Sequence, residues 1–267
     1  MRLRGAVALV TGGSSGIGAA TARALAAAGA TPLIAGRDRG RLEAVARQTG
    51  GLALEADLGS ADGPAALAQA ALRAAGSLCS GPAAGPERTG GIDILINNAG
   101  VGWSGPLSEM TAEKVTELVA VNLTAPIQLT RLLVPGMAAR GRGRVVFVSS
   151  IAGATGVRGE AVYAAAKAGL GYFAESLAYE LSDRGVGVSV IIPGVIDTPF
   201  FERRGTPYER KKPEPLPAER VAQAITSAIA RDRSVVYVPR WMQLPAWLHG
   251  AAPGAFRILA ARFGNPG

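Results

Sequence analysis

The chain has 267 residues, 48% of them hydrophobic and 18% charged, which excludes a disordered chain and fits one large α/β domain or two small ones, with length ample for a full core. Its formal charge of +8 comes from 28 basic residues, only four of them lysines, but these are scattered. No basic stripe interleaved with aromatics marks a nucleic-acid surface, so no nucleic-acid partner is expected. A single cysteine, Cys79, excludes an internal disulfide and suits a reducing compartment. The lone His249 cannot anchor a metal cluster, and no metal site is expected. No apolar run reaches the length of a membrane span, and the opening GAVALVTGG is too short for a signal peptide, so the expected location is cytoplasmic.

In chain order, short apolar runs alternate with alanine-rich helical stretches. Strands are expected at Val7–Val10, Thr31–Gly36, Leu52–Ala56, Ile92–Asn97, Arg144–Ser149, Gly187–Pro193 and Ser234–Pro239. They are apolar nearly throughout, as strands covered on both faces must be. Helices are expected near 16–29, 38–49, 62–75, 111–139, 160–183 and 217–231. Seven strands alternating with helices describe a doubly wound, seven-stranded parallel sheet in a single α/β domain spanning 1–267. Two stretches stand apart. Gly76–Gly91 is rich in Gly and Pro and joins a helix to the fourth strand, on the rim away from the ligand side. The segment 199–220 follows the sixth strand at its carboxyl end, where a substrate loop belongs. The extension 240–267 is aromatic and basic, and Phe256, Leu259 and Phe263 can share one helical face.

Gly12, Gly16 and Gly18 fall directly after the first strand and open the first helix. Glycines there allow a tight turn and let backbone N–H groups approach a phosphate at the positive helix end. Two Tyr-x-x-x-Lys pairs occur, Tyr163–Lys167 and Tyr208–Lys212, where roughly 0.07 would arise by chance. A lysine one helical turn from a tyrosine is expected to favour the phenolate and lower its pKa, which prepares the phenol for proton transfer. Tyr163–Lys167 lies in an uninterrupted helical pattern. Tyr208–Lys212 is hemmed by Pro207, Pro213, Pro215 and Pro217 and is not expected to hold a helical turn.

These motifs together resemble the short-chain dehydrogenases/reductases, whose members are single Rossmann-like domains. Thr11–Gly18 (TGGSSGIG) is similar to their dinucleotide loop and Asn97–Gly100 (NNAG) to the motif after their fourth strand. The segment from Ser149–Ser150 through Tyr163–Lys167 is similar to their catalytic segment, and Pro193–Pro199 to the stretch after their sixth strand. The resemblance covers residues 5 to about 200 and fades beyond Pro199. It implies that Gly12, Ser14, Ser15, Gly16, Ile17 and Gly18 hold the cofactor, with Asp57 and Leu58 at the adenine and Asn98 on the adenosine side. It places Ile196 and Thr198 at the nicotinamide carboxamide. Ser150, thirteen residues before Tyr163, Tyr163 itself, Lys167 and Asn122 are the implied catalytic set, with Ser149 in support, Asn122 holding a water, and Tyr163 and Lys167 also touching the cofactor. Asp57 also reads as a helix N-cap, a role that can coexist with the adenine contact.

The implied activity is hydride transfer between a nicotinamide cofactor and a ketone or secondary alcohol. A cofactor-sensing regulator on the same fold is the alternative, though such relatives typically lack the Ser/Tyr/Lys set. Gly36 stands where NAD-preferring relatives commonly place an aspartate, and Arg37 follows, so NADP(H) is expected to be preferred, with NAD(H) second. Asp38 can cap the next helix instead of repelling a phosphate. Trp103, Phe200 and Phe201 suggest an apolar pocket for a small hydrophobic carbonyl or alcohol. The resemblance also implies a homodimer or homotetramer. For the 240–267 tail, packing over the pocket or in an oligomer is favoured over peripheral membrane contact.

Overall fold

The computed structural model describes residues 1–79, 90–206, 208 and 213–263. Most of the Gly76–Gly91 stretch, Pro207 and the Lys212 half of the second pair lie outside the described residues, as do the side chains of Arg262 and Phe263. The chain begins β1 (Val7–Thr11), α1 (Gly16–Ala27), β2 (Thr31–Gly36), α2 (Arg39–Thr49), β3 (Leu52–Glu55), α3 (Gly63–Cys79) and β4 (Ile94–Asn97). It continues through α4 (Ala112–Val119), a π turn (Ala120–Thr124), α5 (Ala125–Ala139), β5 (Gly143–Val148), α6 (Ile151–Thr155), α7 (Ala161–Glu180) and β6 (Val186–Pro193). The last part holds β7 (Ile196–Asp197), α8 (Phe200–Arg203), β8 (Leu216–Pro217), α9 (Ala218–Arg231), β9 (Val235–Val238), α10 (Gln243–Ala251) and α11 (Pro253–Phe263).

Seven strands form one sheet in the order β3-β2-β1-β4-β5-β6-β9, and every pairing is parallel. Parallel neighbours must be joined by crossovers, which is why helices cover both faces. Side-chain alternation in β1 divides the core accordingly. Val7 and Leu9 join Leu95, Val145 and Phe147 under α3, α5 and α7, through residues such as Leu67, Leu133 and Leu170. Ala8 and Val10 join Ile96 and Val146 under α1 and α9, through Leu25, Val221 and Ile225. Ile34 and Leu42 seat α2 beside α1. The predicted strands all occur, with ends shifted by one or two residues.

Differences are local. The helix expected at 62–75 runs on to Cys79, so Gly76–Cys79 are helical although the sequence places them in the Gly/Pro-rich stretch. The helix expected over 111–139 contains the π turn, where one surplus residue is accommodated. This 28-residue helical run, Ala112–Ala139, is by length and composition apolar enough to cross a membrane, contrary to the sequence expectation; half of its apolar window is buried within the fold. α6, the two-stranded β7–β8 sheet and α8 are short pieces that carry too little periodicity to be expected from sequence.

β1 leads outward to β2 and β3, after which the chain returns to lay β4 on the other side of β1. The strand order reverses there, leaving a crevice at the carboxyl ends of β1 and β4, the place where such sheets take their ligands. Asp93, almost fully buried just before β4, fixes the opposite end: Oδ2 accepts from Val7 N at 3.0 Å, and Oδ1 accepts from Arg142 Nη2 at 3.0 Å.

Candidate active site

A cleft of about 1190 Å³ opens along the carboxyl ends of the strands. Its lining runs from Arg37 and Asp57 at one end, past Gly12, Ser14 and Gly16, to Ser150, Tyr163 and Lys167 at the other.

The glycine loop is shaped by close backbone approach. Gly12 has φ +65° and Gly16 φ +51°, in the left-handed region. A Cβ on Gly18 would lie 2.2 Å from Gly12 O, so no side chain fits there. Thr11 and Asn98 tie this loop to the end of β4. Thr11 Oγ1 accepts from Asn98 N and Ala99 N, each at 3.0 Å, and donates to Ile96 O at 3.1 Å. Asn98 Nδ2 donates to Thr11 O at 2.9 Å and Gly12 O at 3.3 Å. Asn98 therefore acts on the cleft by bracing the loop, while Thr11, the first residue of the TGGSSGIG motif, is a buried hub whose bonds to the end of β4 the motif did not reveal. α1 starts at Gly16 with no side-chain cap and no acidic residue in its first turn, so its positive end faces the cleft uncompensated. A tight glycine cradle and an open helix start fit a dinucleotide diphosphate.

At the adenosine end, exposed Arg37 follows β2, and Gly36 packs beside Leu42 and Ser14. Asp38 caps α2, its Oδ1 accepting from Arg41 N at 3.0 Å, as expected. Arg41 also lines this end, paired with Asp38 Oδ2 at 3.0 Å; its distance from the glycine loop in sequence hid it. Asp57 does not cap a helix. Its Oδ1 accepts from Gly59 N at 3.0 Å to close a turn, and α3 begins only at Gly63. Asp57 and Leu58 both line the cleft. Ile196 and Thr198 also line it, and Thr198 stands over the glycine loop, its Cγ2 2.9 Å from where a Gly16 Cβ would be.

The far end carries the chemistry. α7 presents Tyr163 and Lys167 on one face, both nearly buried. Ser150 starts α6, its Oγ accepting from Ala152 N at 3.2 Å, and its hydroxyl lies within hydrogen-bonding reach of the Tyr163 phenol. Ser149 also borders the cleft, and its hydroxyl donates to Lys167 O at 3.0 Å, which supports α7. Lys167 Nζ donates to Val148 O at 3.0 Å and lies 5.8 Å from the Tyr163 ring centroid. Asn122 occupies the π turn. Its Nδ2 donates to Leu118 O at 3.0 Å and Val101 O at 2.8 Å, while its Oδ1 is buried with no partner among the described residues. That acceptor faces Gly100, where a Cβ would come within 2.9 Å of Oδ1 and 3.5 Å of Lys167 Nζ. Leaving a buried acceptor unbonded costs about 1–3 kcal/mol, an arrangement that points to use rather than to folding.

The electrostatics differ from the sequence expectation. Burial dominates Tyr163 and pushes its phenol well above the ordinary value; Ser150 pulls it down, Glu160 pushes it up and Arg204 pulls it down. The lysine does not lower it in this state. Burial instead pushes Lys167 down to about 8. Glu160 and Arg204 form a nearly buried ion pair beside Tyr163 that was not foreseen, since two residues 44 apart carry no local pattern.

The substrate side is aromatic. Phe200 lies 5.7 Å from Tyr163, Phe201 5.7 Å from Phe200, and Tyr208 5.4 Å from Phe201, ring centre to ring centre. Trp103 packs against the cluster around Tyr163 rather than lining the cleft. Tyr208 donates to Pro213 O at 2.9 Å within the loop. Among the described residues of the tail, only Met242 reaches the cleft, against Gly194; Trp241, Leu244, Trp247, Ile258 and Leu259 are exposed.

A parallel doubly wound sheet whose switch-point crevice joins a diphosphate cradle to a buried Ser–Tyr–Lys set is the framework of an oxidoreductase that works with a nicotinamide dinucleotide. The chain belongs to the short chain dehydrogenase family, whose model matches residues 6–209. It is 34% identical to a 3-oxoacyl-acyl-carrier-protein reductase of Vibrio cholerae over 86% of this chain and 90% of that one. Among solved structures, a short-chain dehydrogenase from Sphingobium yanoikuyae in complex with NADPH is 30% identical, with a TM-score of 0.77 over 93% of this chain and 95% of that one. A Burkholderia phymatum short chain dehydrogenase/reductase in complex with NAD is 25% identical, with a TM-score of 0.80 over 94% of each chain.

Proposed function

We propose that this protein reduces ketones with NADPH, running the reverse oxidation of secondary alcohols with NADP, and that NAD(H) serves less well. The observation that carries this reading is the meeting of Ser150, Tyr163 and Lys167 at one end of a cleft whose other end presents Arg37. When bound, the nicotinamide supplies hydride to the carbonyl carbon. Tyr163 Oη, kept protonated by burial, gives its proton to the carbonyl oxygen, and the Ser150 hydroxyl donates a second hydrogen bond to that oxygen. Lys167 Nζ, with a pKa of about 8, stands ready to restore the proton near neutrality. Asn122 Oδ1 supplies the acceptor that steadies a water on the lysine side.

Arg37 favours the 2′-phosphate of NADP(H), because a guanidinium binds phosphate bidentately and no carboxylate stands at Gly36. Phe200, Phe201 and Met242 favour a hydrophobic carbonyl compound, and the Vibrio cholerae relative supports including 3-oxoacyl thioesters. Exposed Tyr172 and Tyr179 on α7, at 74% and 71%, support a homo-oligomer built on the long helices, and the expected cytoplasmic location stays part of this reading. The test is NADPH oxidation against a panel of aliphatic and aromatic ketones, aldehydes and 3-oxoacyl thioesters. Turnover on at least one hydrophobic ketone or thioester is expected. Tight cofactor binding with no turnover across the panel would point back to a cofactor-sensing role.

A further inference from the structure

The short helix α8 and the residue after it carry two consecutive arginines that reach in different directions. Arg204 turns inward, pairing with Glu160 beside Tyr163 and stacking 4.7 Å over the Phe201 ring. Arg203 turns toward the cofactor side, and its Nη2 donates to Ser15 Oγ at 3.1 Å. Ser15 is the residue that starts α1, yet its hydroxyl makes no bond to the helix's own N–H groups. Among the described residues no carboxylate pairs with Arg203. A positive side chain thus hangs over the glycine cradle next to a helix start that is itself positive and lacks acidic residues. Such a concentration of like charge is unfavourable unless an anion sits within it.

We propose that Arg203 is a ligand of the dinucleotide's diphosphate, supplied from the substrate side of the cleft, with the Ser15 hydroxyl holding it at the rim. Thr198 already touches the same loop at Gly16, so the segment from Thr198 to Arg204 spans the cradle, the Tyr163 ring and the start of α7. Binding of the diphosphate therefore also fixes Phe200 and Arg204, the wall against which a substrate would lie. Arg203 differs from Arg37 in what it reads: the diphosphate is common to NADPH and NADH, while the 2′-phosphate is not. The proposal rests on the dinucleotide reading of the cleft, and the experiment separates the two.

Dissociation constants would be measured by calorimetry for NADPH, NADH, ADP-ribose and adenosine 2′-monophosphate, with the wild type, Arg203→Gln and Arg203→Lys, after checking that the melting temperatures agree. Losing a charged hydrogen-bonding partner of phosphate is expected to weaken NADPH, NADH and ADP-ribose alike, by about tenfold in Arg203→Gln. Arg203→Lys should recover part of this, and adenosine 2′-monophosphate, which has no diphosphate, should bind as before. Equal binding of all ligands by wild type and Arg203→Gln would overturn the role of Arg203 and leave the dinucleotide reading standing. A loss as large for adenosine 2′-monophosphate as for NADPH would overturn it too, by showing only a general field effect. A wild type that binds none of the dinucleotides would overturn both.

Discussion

Replacing Lys167 by methionine should make the protein more stable while destroying its chemistry. The side chain is 4% exposed, and burial lowers its pKa from 10.5 to about 8. At about 1.4 kcal/mol per tenfold change in proton affinity, holding this group charged inside the fold costs about 3 kcal/mol below pH 8. Methionine removes that cost and occupies similar volume, but gives up the hydrogen bond to Val148 O, worth about 1–2 kcal/mol. The net gain expected at neutral pH is about 1–2 kcal/mol, or a melting temperature higher by about 2–6 °C for a chain of this size. Its pH dependence is the sharper signature. Because the folded pKa lies below the unfolded one, the unfolded chain holds more protons between about 8 and 10.5, and wild-type stability from this group rises with pH across that window. The variant's advantage is therefore full below about pH 8 and fades toward 10.5. Urea denaturation of both proteins at several pH values measures it. A variant less stable than the wild type at neutral pH, or an advantage that does not change across the window, would refute the argument that desolvation of Lys167 dominates its energetics.

Tyr163→Phe should abolish nearly all turnover with folding and cofactor affinity intact, whereas Tyr208→Phe, whose hydroxyl donates to Pro213 O within the loop, should keep a kcat near the wild type's; steady-state kinetics on one good substrate decides between them. Arg37→Ala should weaken NADPH by about tenfold and NADH by less than about twofold in a fluorescence titration, and equal losses would remove Arg37 from cofactor choice. Gly18→Ala forces a methyl group within 2.2 Å of Gly12 O; the loop must deform, and the expected result is loss of dinucleotide binding with a lowered melting temperature, so a variant that binds normally would show the cradle to be far more pliant than drawn.

The sheet was legible because strands buried on both faces have to be apolar throughout, and runs such as Val7–Val10 and Arg144–Ser149 have almost no other reading. The glycine cradle and the Tyr163–Lys167 pair were legible because each needs specific residues at fixed local spacing. What stayed hidden depends on contacts between distant segments. Arg203 and Arg204 look like any other arginine until α8 sets one against Ser15 and the other against Glu160. Asn122 was identified, but the π turn beneath it was not, since a single surplus residue hardly disturbs an apolar helical pattern. The Tyr163 shift runs opposite to what the spacing implies, because spacing reports that a lysine is near but not how deeply the phenol is buried.

The π turn at Ala120–Thr124 makes chain length itself a constraint on this rod. In a surface loop, one residue more or less is absorbed by slack. Here the segment serves two masters on different sides of its axis: Asn122 toward Gly100, and Leu129, Leu133 and Met137 toward the sheet. Deleting one residue within the turn would restore regular winding and leave the two halves facing nearly as they do now, but the residues of the turn itself, Asn122 among them, would be re-aimed by up to about 100°. The Asn122 amide would then leave its place opposite Gly100, while Leu129, Leu133 and Met137 stayed in the core. The fold can therefore survive loss of the surplus position, whereas the buried acceptor of Asn122 cannot keep its place without it.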